Sequence, residues 1–108
     1  MKIIDIHKFI TADYLHSLLQ QRLNPQFQHQ RQSNISFTFK NTGNGVEILQ
    51  PELYENFLFR IEIKGTELLI IRGSDYIDDV NELTVESILF LLFGELAGEE
   101  GITFVLDG

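Results

Sequence analysis

The sequence predicts an α+β fold, a two-layer sandwich in which an antiparallel sheet of about four or five strands carries two helices on one face. Three observations lead there. Helical spacing of apolar residues occurs twice, near the start and near the end of the chain; segments of strict apolar–polar alternation lie between; and the last two of those segments meet at a tight glycine turn.

The opening KIIDI, residues 2–6, reads as a further candidate strand. Thr11 is a good N-cap, because its hydroxyl can accept a bond from a free backbone N–H, and Ile10 can staple onto Leu15. Tyr14, Leu15, Leu18, Leu19 and Leu23 then recur on one helical face, and Asn24-Pro25 supplies a stop, which predicts a helix over 11–24. The polar, Gln-rich PQFQHQRQSN reads as a loop anchored by Phe27. In NISFTFK, residues 34–40, Ile35, Phe37 and Phe39 alternate with Ser36, Thr38 and Lys40. NTGNG turns the chain into a strand holding Val46 and Ile48. Phe57, Phe59, Ile61 and Ile63 then alternate with Leu58, Arg60, Glu62 and Lys64. Gly65-Thr66 fits a two-residue type II′ hairpin loop leading into ELLIIR, because Gly accepts the positive φ needed at the first central position. A second helix is expected at about 84–97, with Thr84 as N-cap and Gly98 just past the end, followed by the alternating GITFVLD. The polar alternate face of these strands can meet water, which makes it a candidate binding surface.

A chain of 108 residues with 44% hydrophobic content and no cysteine is expected to be one domain, 1–108, held by packing alone. Asp5, His7, Lys8 and Asp13 interrupt the apolar residues near the start, unlike a signal peptide. The longest wholly apolar run, Ile88 to Phe93, falls far short of a bilayer span. A soluble, cytoplasmic protein is the expectation. The net charge of −8 is unevenly placed, with +3 over residues 1–40 and −11 over residues 41–108. Such acidity repels nucleic acid and anionic membranes and favours a basic partner.

One stretch stands apart. GSDYIDDVNELT, residues 73–84, gathers Asp75, Asp78, Asp79 and Glu82 around Tyr76. It is no EF-hand: counted from Asp79 the twelfth position is Phe90, and counted from Asp75 the third is Ile77. A divalent ion on Asp75, Asp78 and Asp79, serving a small metal-dependent enzyme, is an alternative unsupported by any phosphate-binding loop. Glu82, Glu86 and Asp79 have a plain explanation in the helix dipole, which favours acids at a helix N-terminus. Asp75, Tyr76 and Asp78 lack that explanation, and an aromatic among acids has the composition of an interaction surface.

Other chemistry has little support. There is no Cys nucleophile, Gly73-Ser74 lacks the second glycine of a nucleophile elbow, and His7, His16 and His29 are too far apart for paired metal ligands. His16 is expected in a surface ion pair with Asp13. GNG precedes a strand and not a phosphate-binding helix. Phe37 and Phe39 share a face with Ile35, so they read as core and not as a base-stacking platform. Nine of the thirteen residues over 85–97 are apolar, which predicts a helix buried on more than one face or meeting a partner, with Phe90 and Leu91 under another element or in a homodimer. The sequence therefore leads to a small acidic, non-catalytic binding module of the inhibitor, immunity or antitoxin kind. Its docking surface is expected at Asp75, Tyr76, Asp78, Asp79 and Glu82, without metal, cofactor, nucleic acid or membrane, and its partner is a basic protein such as a toxin or a nucleic-acid-handling enzyme. A self-associating structural or accessory subunit is the alternative.

Overall fold

Alternation along the strands decides which sheet face is buried, and the helices follow from it. The computed structural model describes residues 1–74 and 78–107. Its elements are β1 (Lys2–Asp5), α1 (Ala12–Arg31), β2 (Thr38–Asn41), β3 (Gly45–Leu49), β4 (Phe59–Lys64), β5 (Glu67–Arg72), α2 (Asp79–Ala97) and β6 (Thr103–Asp107), with a 3-10 turn at Gly98–Glu100. Among the described residues six strands form one antiparallel sheet in the order β2-β3-β4-β5-β1-β6. The expected four or five become six because both end segments pair: β1 enters between β5 and β6 instead of lying at an edge.

Val46, Ile48, Phe59, Ile61, Leu68, Ile70 and Ile4 line the inner face, and both helices pack their apolar sides against it in one core cluster. The opposite face is less polar than the alternation of the middle strands suggests. Ile3 and Leu69 are register partners there, and Ile71 lies opposite Arg60, all of them half-buried. Leu58, expected on that outer face, is fully buried next to Phe59. Its N–H donates to Ile48 O while Phe59 also pairs with Ile48, so two consecutive residues oppose one at the entry to β4 and the alternation breaks there. Gly45 and Gly73 flank this part of the sheet, where a Cβ would meet Ile61 O at 1.9 Å and Phe57 O at 2.0 Å. The hairpin at 65–66 forms as expected, with Gly65 at φ +63° and Lys64 opposite Glu67.

The larger correction is α1, which runs through Pro25 to Arg31 instead of stopping at 24. A proline inside a helix costs roughly 3 kcal/mol through the lost bond and the ring's clash with the preceding turn. The compensation is tertiary. Leu15, Leu19, Leu23 and Phe27 recur every four residues and are all fully buried, and each large side chain buried contributes roughly 1.5 to 3 kcal/mol. Phe27, expected as a loop anchor, meets Phe37 edge to face at 4.9 Å. Pro25 itself is exposed. Asn24 then bridges to the extended segment beyond the helix, accepting from Phe37 N–H at 2.7 Å and donating to Phe37 O at 3.0 Å. Gln28 donates to Ile35 O, and Gln32, in left-handed conformation, ends the helix with its N–H on Gln28 O. Of the expected 34–40 strand only residues 38–40 pair as sheet, with Asn41 added, because side chains of α1 take the backbone groups of the preceding residues.

Asn24→Ala should therefore cost about 1 to 3 kcal/mol, the range for leaving part-buried backbone groups unsatisfied. Chemical denaturation measures it, and an unchanged midpoint would show that α1 crosses Pro25 without this bridge.

Candidate functional site

The acidic stretch resolves into distinct roles. The second helix begins at Asp79 and not at Thr84, a full turn earlier than expected, because Asp78 caps it. Asp78 Oδ1 accepts from Asn81 N–H at 3.1 Å, and Asp78 O accepts from Glu82 N–H at 2.9 Å. Thr84, inside the helix, donates its hydroxyl to Val80 O. Glu82 is turned inward, 8% exposed, and accepts from Arg72 of β5 at 2.9 Å. Glu86, one turn on, accepts from Lys2 of β1 at 2.6 Å. These two acids, on one helical face at a spacing of four, tie α2 to neighbouring strands and line a cleft of about 430 Å³ with Phe59, Ile70 and Leu83. Of the five residues expected at the docking surface, Asp78 and Glu82 thus have internal duties and Asp79 is exposed. Asp75 and Tyr76 lie outside the described residues.

Arg31, at the end of α1, donates to Asn81 Oδ1, which brings a cation to the start of α2. Hydrogen bonding to Glu86 holds the Lys2 ammonium above its ordinary value near 10.5. The His7 N–H, followed by the Thr66 hydroxyl, holds Asp5 below the usual carboxylate range. His16 makes no ion pair with Asp13 among the described residues; it donates from Nε2 to Phe39 O, while Asp13 accepts from Asn41. The helix brings His16 over the edge strand, within reach of that backbone carbonyl. No group of three or more His, Asp or Glu side chains among the described residues is arranged to hold a metal ion, and no helix among them is long and apolar enough to cross a membrane.

Charge is sorted by position. Residues 73–108 hold nine acids and no Lys or Arg. The cations that answer them come from elsewhere: Lys2 to Glu86, Arg72 to Glu82, and Arg22 of α1 to Glu95. Arg60 is taken by Glu47, directly opposite on β3, and stacks over Phe57 at 4.4 Å. Lys2 also lies 3.6 Å from Asp107, and His7 3.9 Å from Glu100, while Glu99, Glu100 and Asp107 all stay exposed at the β6 side.

Apolar exposure concentrates there as well. All five residues of β6 are exposed, with Phe104 at 54%, Val105 at 52% and Leu106 at 45%. Phe104 lies against half-buried Phe90 of α2 at 5.6 Å, and Leu91 beside it stays 47% exposed. The expected cover for Phe90 is therefore the last strand, and that cover is partial. Another cleft, apolar and of about 450 Å³, runs beside Phe9, Tyr14 and Leu96, with Phe9 81% exposed. Phe9 escapes sequence reasoning because nothing in its spacing separates it from the core residues around it. Comparison with protein-family models, curated proteins and solved structures gives no match for this chain.

Two outcomes check these roles. Asp78→Ala should cost about 1 kcal/mol, the usual loss of an N-cap, whereas Asp79→Ala should stay within about 0.5 kcal/mol; equal effects would show that Asp78 does not cap α2. Because the Lys2 pKa is raised in the folded chain, its contribution is complete below the ordinary value near 10.5 and is lost as pH climbs through the higher folded value. The stability gap between wild type and Lys2→Met should narrow over that alkaline range. A gap independent of pH would mean that the Lys2 charge contributes nothing.

Proposed function

We propose that this chain is a small, non-catalytic binding protein that engages a basic partner protein, as an inhibitor, immunity protein or antitoxin in the cytoplasm would. One observation carries the reading: the last third of the chain has no cation of its own, while half of the eight Lys and Arg are engaged in internal ion pairs with acids. The surface left to a partner is acidic, and it adjoins exposed apolar side chains. Opposed charge accelerates encounter and selects among partners, and apolar contact then holds the complex. Proteins that handle nucleic acid present basic surfaces and fit such a partner. Asp75, Tyr76 and Asp79 supply the docking contacts, and Asp78 and Glu82 fix the start of α2 beside Asp79.

Self-association through α2 and β6 is the second reading, favoured by exposed Leu83, Leu91 and Val105. It must bring two acidic surfaces together.

The test takes a partner isolated from the native host and measures its association rate against ionic strength. Asp75→Lys with Asp79→Lys, leaving the cap Asp78 in place, should preserve folding to within about 0.5 kcal/mol per site. The double variant should associate more slowly and with a flatter salt dependence, whereas Tyr76→Ala should raise the dissociation rate. A partner whose association ignores both salt and these reversals would sink the reading.

A further inference from the structure

The two edges of the sheet are finished differently. Around β2 the backbone is engaged by α1: Asn24 bonds both N–H and C=O of Phe37, Gln28 takes Ile35 O and His16 takes Phe39 O. The strand also carries Lys40, a charge of the kind that discourages pairing at edges. β6 has neither protection. It holds no Lys, Arg or Pro, and among the described residues its backbone groups bond only to β1. Alternate N–H and C=O groups of an edge strand point outward, and such an edge is a template for a further strand.

The occupant follows from charge. A second copy pairing antiparallel through β6 would set Glu99 and Glu100 of one copy toward Asp107 of the other, and Lys2, 3.6 Å from Asp107, is already held at 2.6 Å by Glu86. A basic segment meets the same carboxylates favourably. We propose that the outer edge of β6 takes up, as a seventh strand, an extended basic segment of the partner protein. This rests on the reading of a basic partner and gives that partner a second point of attachment, through its main chain. Phe104, in register with Ile4, lies on the helix side, and Leu106, in register with Ile3, lies on the open side, so both faces of an added strand find an apolar neighbour. The segment therefore carries apolar residues at its centre, with Lys or Arg toward its ends, within reach of Glu100 and Asp107. The bulge that places Val105 between these pairs limits the main-chain bonds to a few, which leaves selectivity to the side chains.

The test uses the full chain, isotope-labelled, and a nine-residue amidated peptide with valines at its centre and two lysines at each end, with a matched peptide N-methylated on alternate residues. N-methylation keeps the charge and removes the donors that strand addition requires. Shifts and slowed amide exchange centred on 103–107, with affinity falling at least about tenfold on N-methylation, are the expected result. Equal binding of both peptides, or shifts centred on the start of α2, overturns strand addition and leaves the basic-partner reading standing. If neither peptide binds even at low salt, both fall. Protection of 103–107 that grows with protein concentration in the absence of peptide assigns the edge to a second copy and overturns the proposal.

Discussion

Width constrains this fold before any single contact does. Six strands at about 4.8 Å span roughly 24 Å between the outermost axes, whereas two helices lying side by side cover about 20 Å. One edge of the inner face must stay uncovered. α1 sits over β2 and β3, and α2 over β5 and β1, so the shortfall falls on β6, which α2 meets through the ring contact of Phe90 with Phe104. Without cysteine for a disulfide, the single apolar layer beneath the helices has to hold the whole chain.

Where α2 sits is decided by that layer and adjusted by charge. Val85, Ile88, Leu89, Leu92 and Phe93 bury its apolar sides, and burial at roughly 1.5 to 3 kcal/mol per large side chain exceeds what partly exposed ion pairs return. Glu82 and Glu86 select the rotation and position of the helix, because Arg72 and Lys2 project from fixed places on the sheet. The cost is that cations from the first two thirds of the chain are used to neutralise the last third from within. Exposed acids such as Asp79, Glu99 and Glu100 are left in excess.

Strands with one buried face were legible because alternation and burial express the same two-residue period: Phe37, Phe59 and Ile61 are buried as read, and Gly65 turns the chain where its freedom at positive φ is needed. The misread boundaries share one cause, a local signal outweighed by a distant contact. Pro25 is a valid stop until Phe27 finds Phe37 and Asn24 finds the backbone beyond. Thr84 is a plausible cap until Glu82 reaches Arg72, sequence-distant by ten residues yet across a layer of the fold. Asp78 with Asn81 and Glu82 was the available cue for the earlier start, since a capping acid before further polar residues in the first turn marks a helix beginning. In the candidate site the acidic composition was legible, but its division into cap, ion pair and free surface was not, because that depends on which strand lies under the helix. The open edge at β6 had no signature in an alternating sequence that serves equally well at the centre of a sheet.

The position of β1 has a consequence for how the chain is assembled. β2 to β5 form a meander in which each strand pairs with the next in sequence. Lys2–Asp5 pairs with Glu67–Ile70 and, on its other side, with Thr103–Asp107. A chain emerging from its amino end carries this apolar strand unpaired until more than sixty further residues have followed, and closing so long a loop is entropically slower than forming the hairpins. Its other partner, β6, lies further along the chain still. The sheet is therefore completed from the meander outward, with β1 and β6 joined to it last.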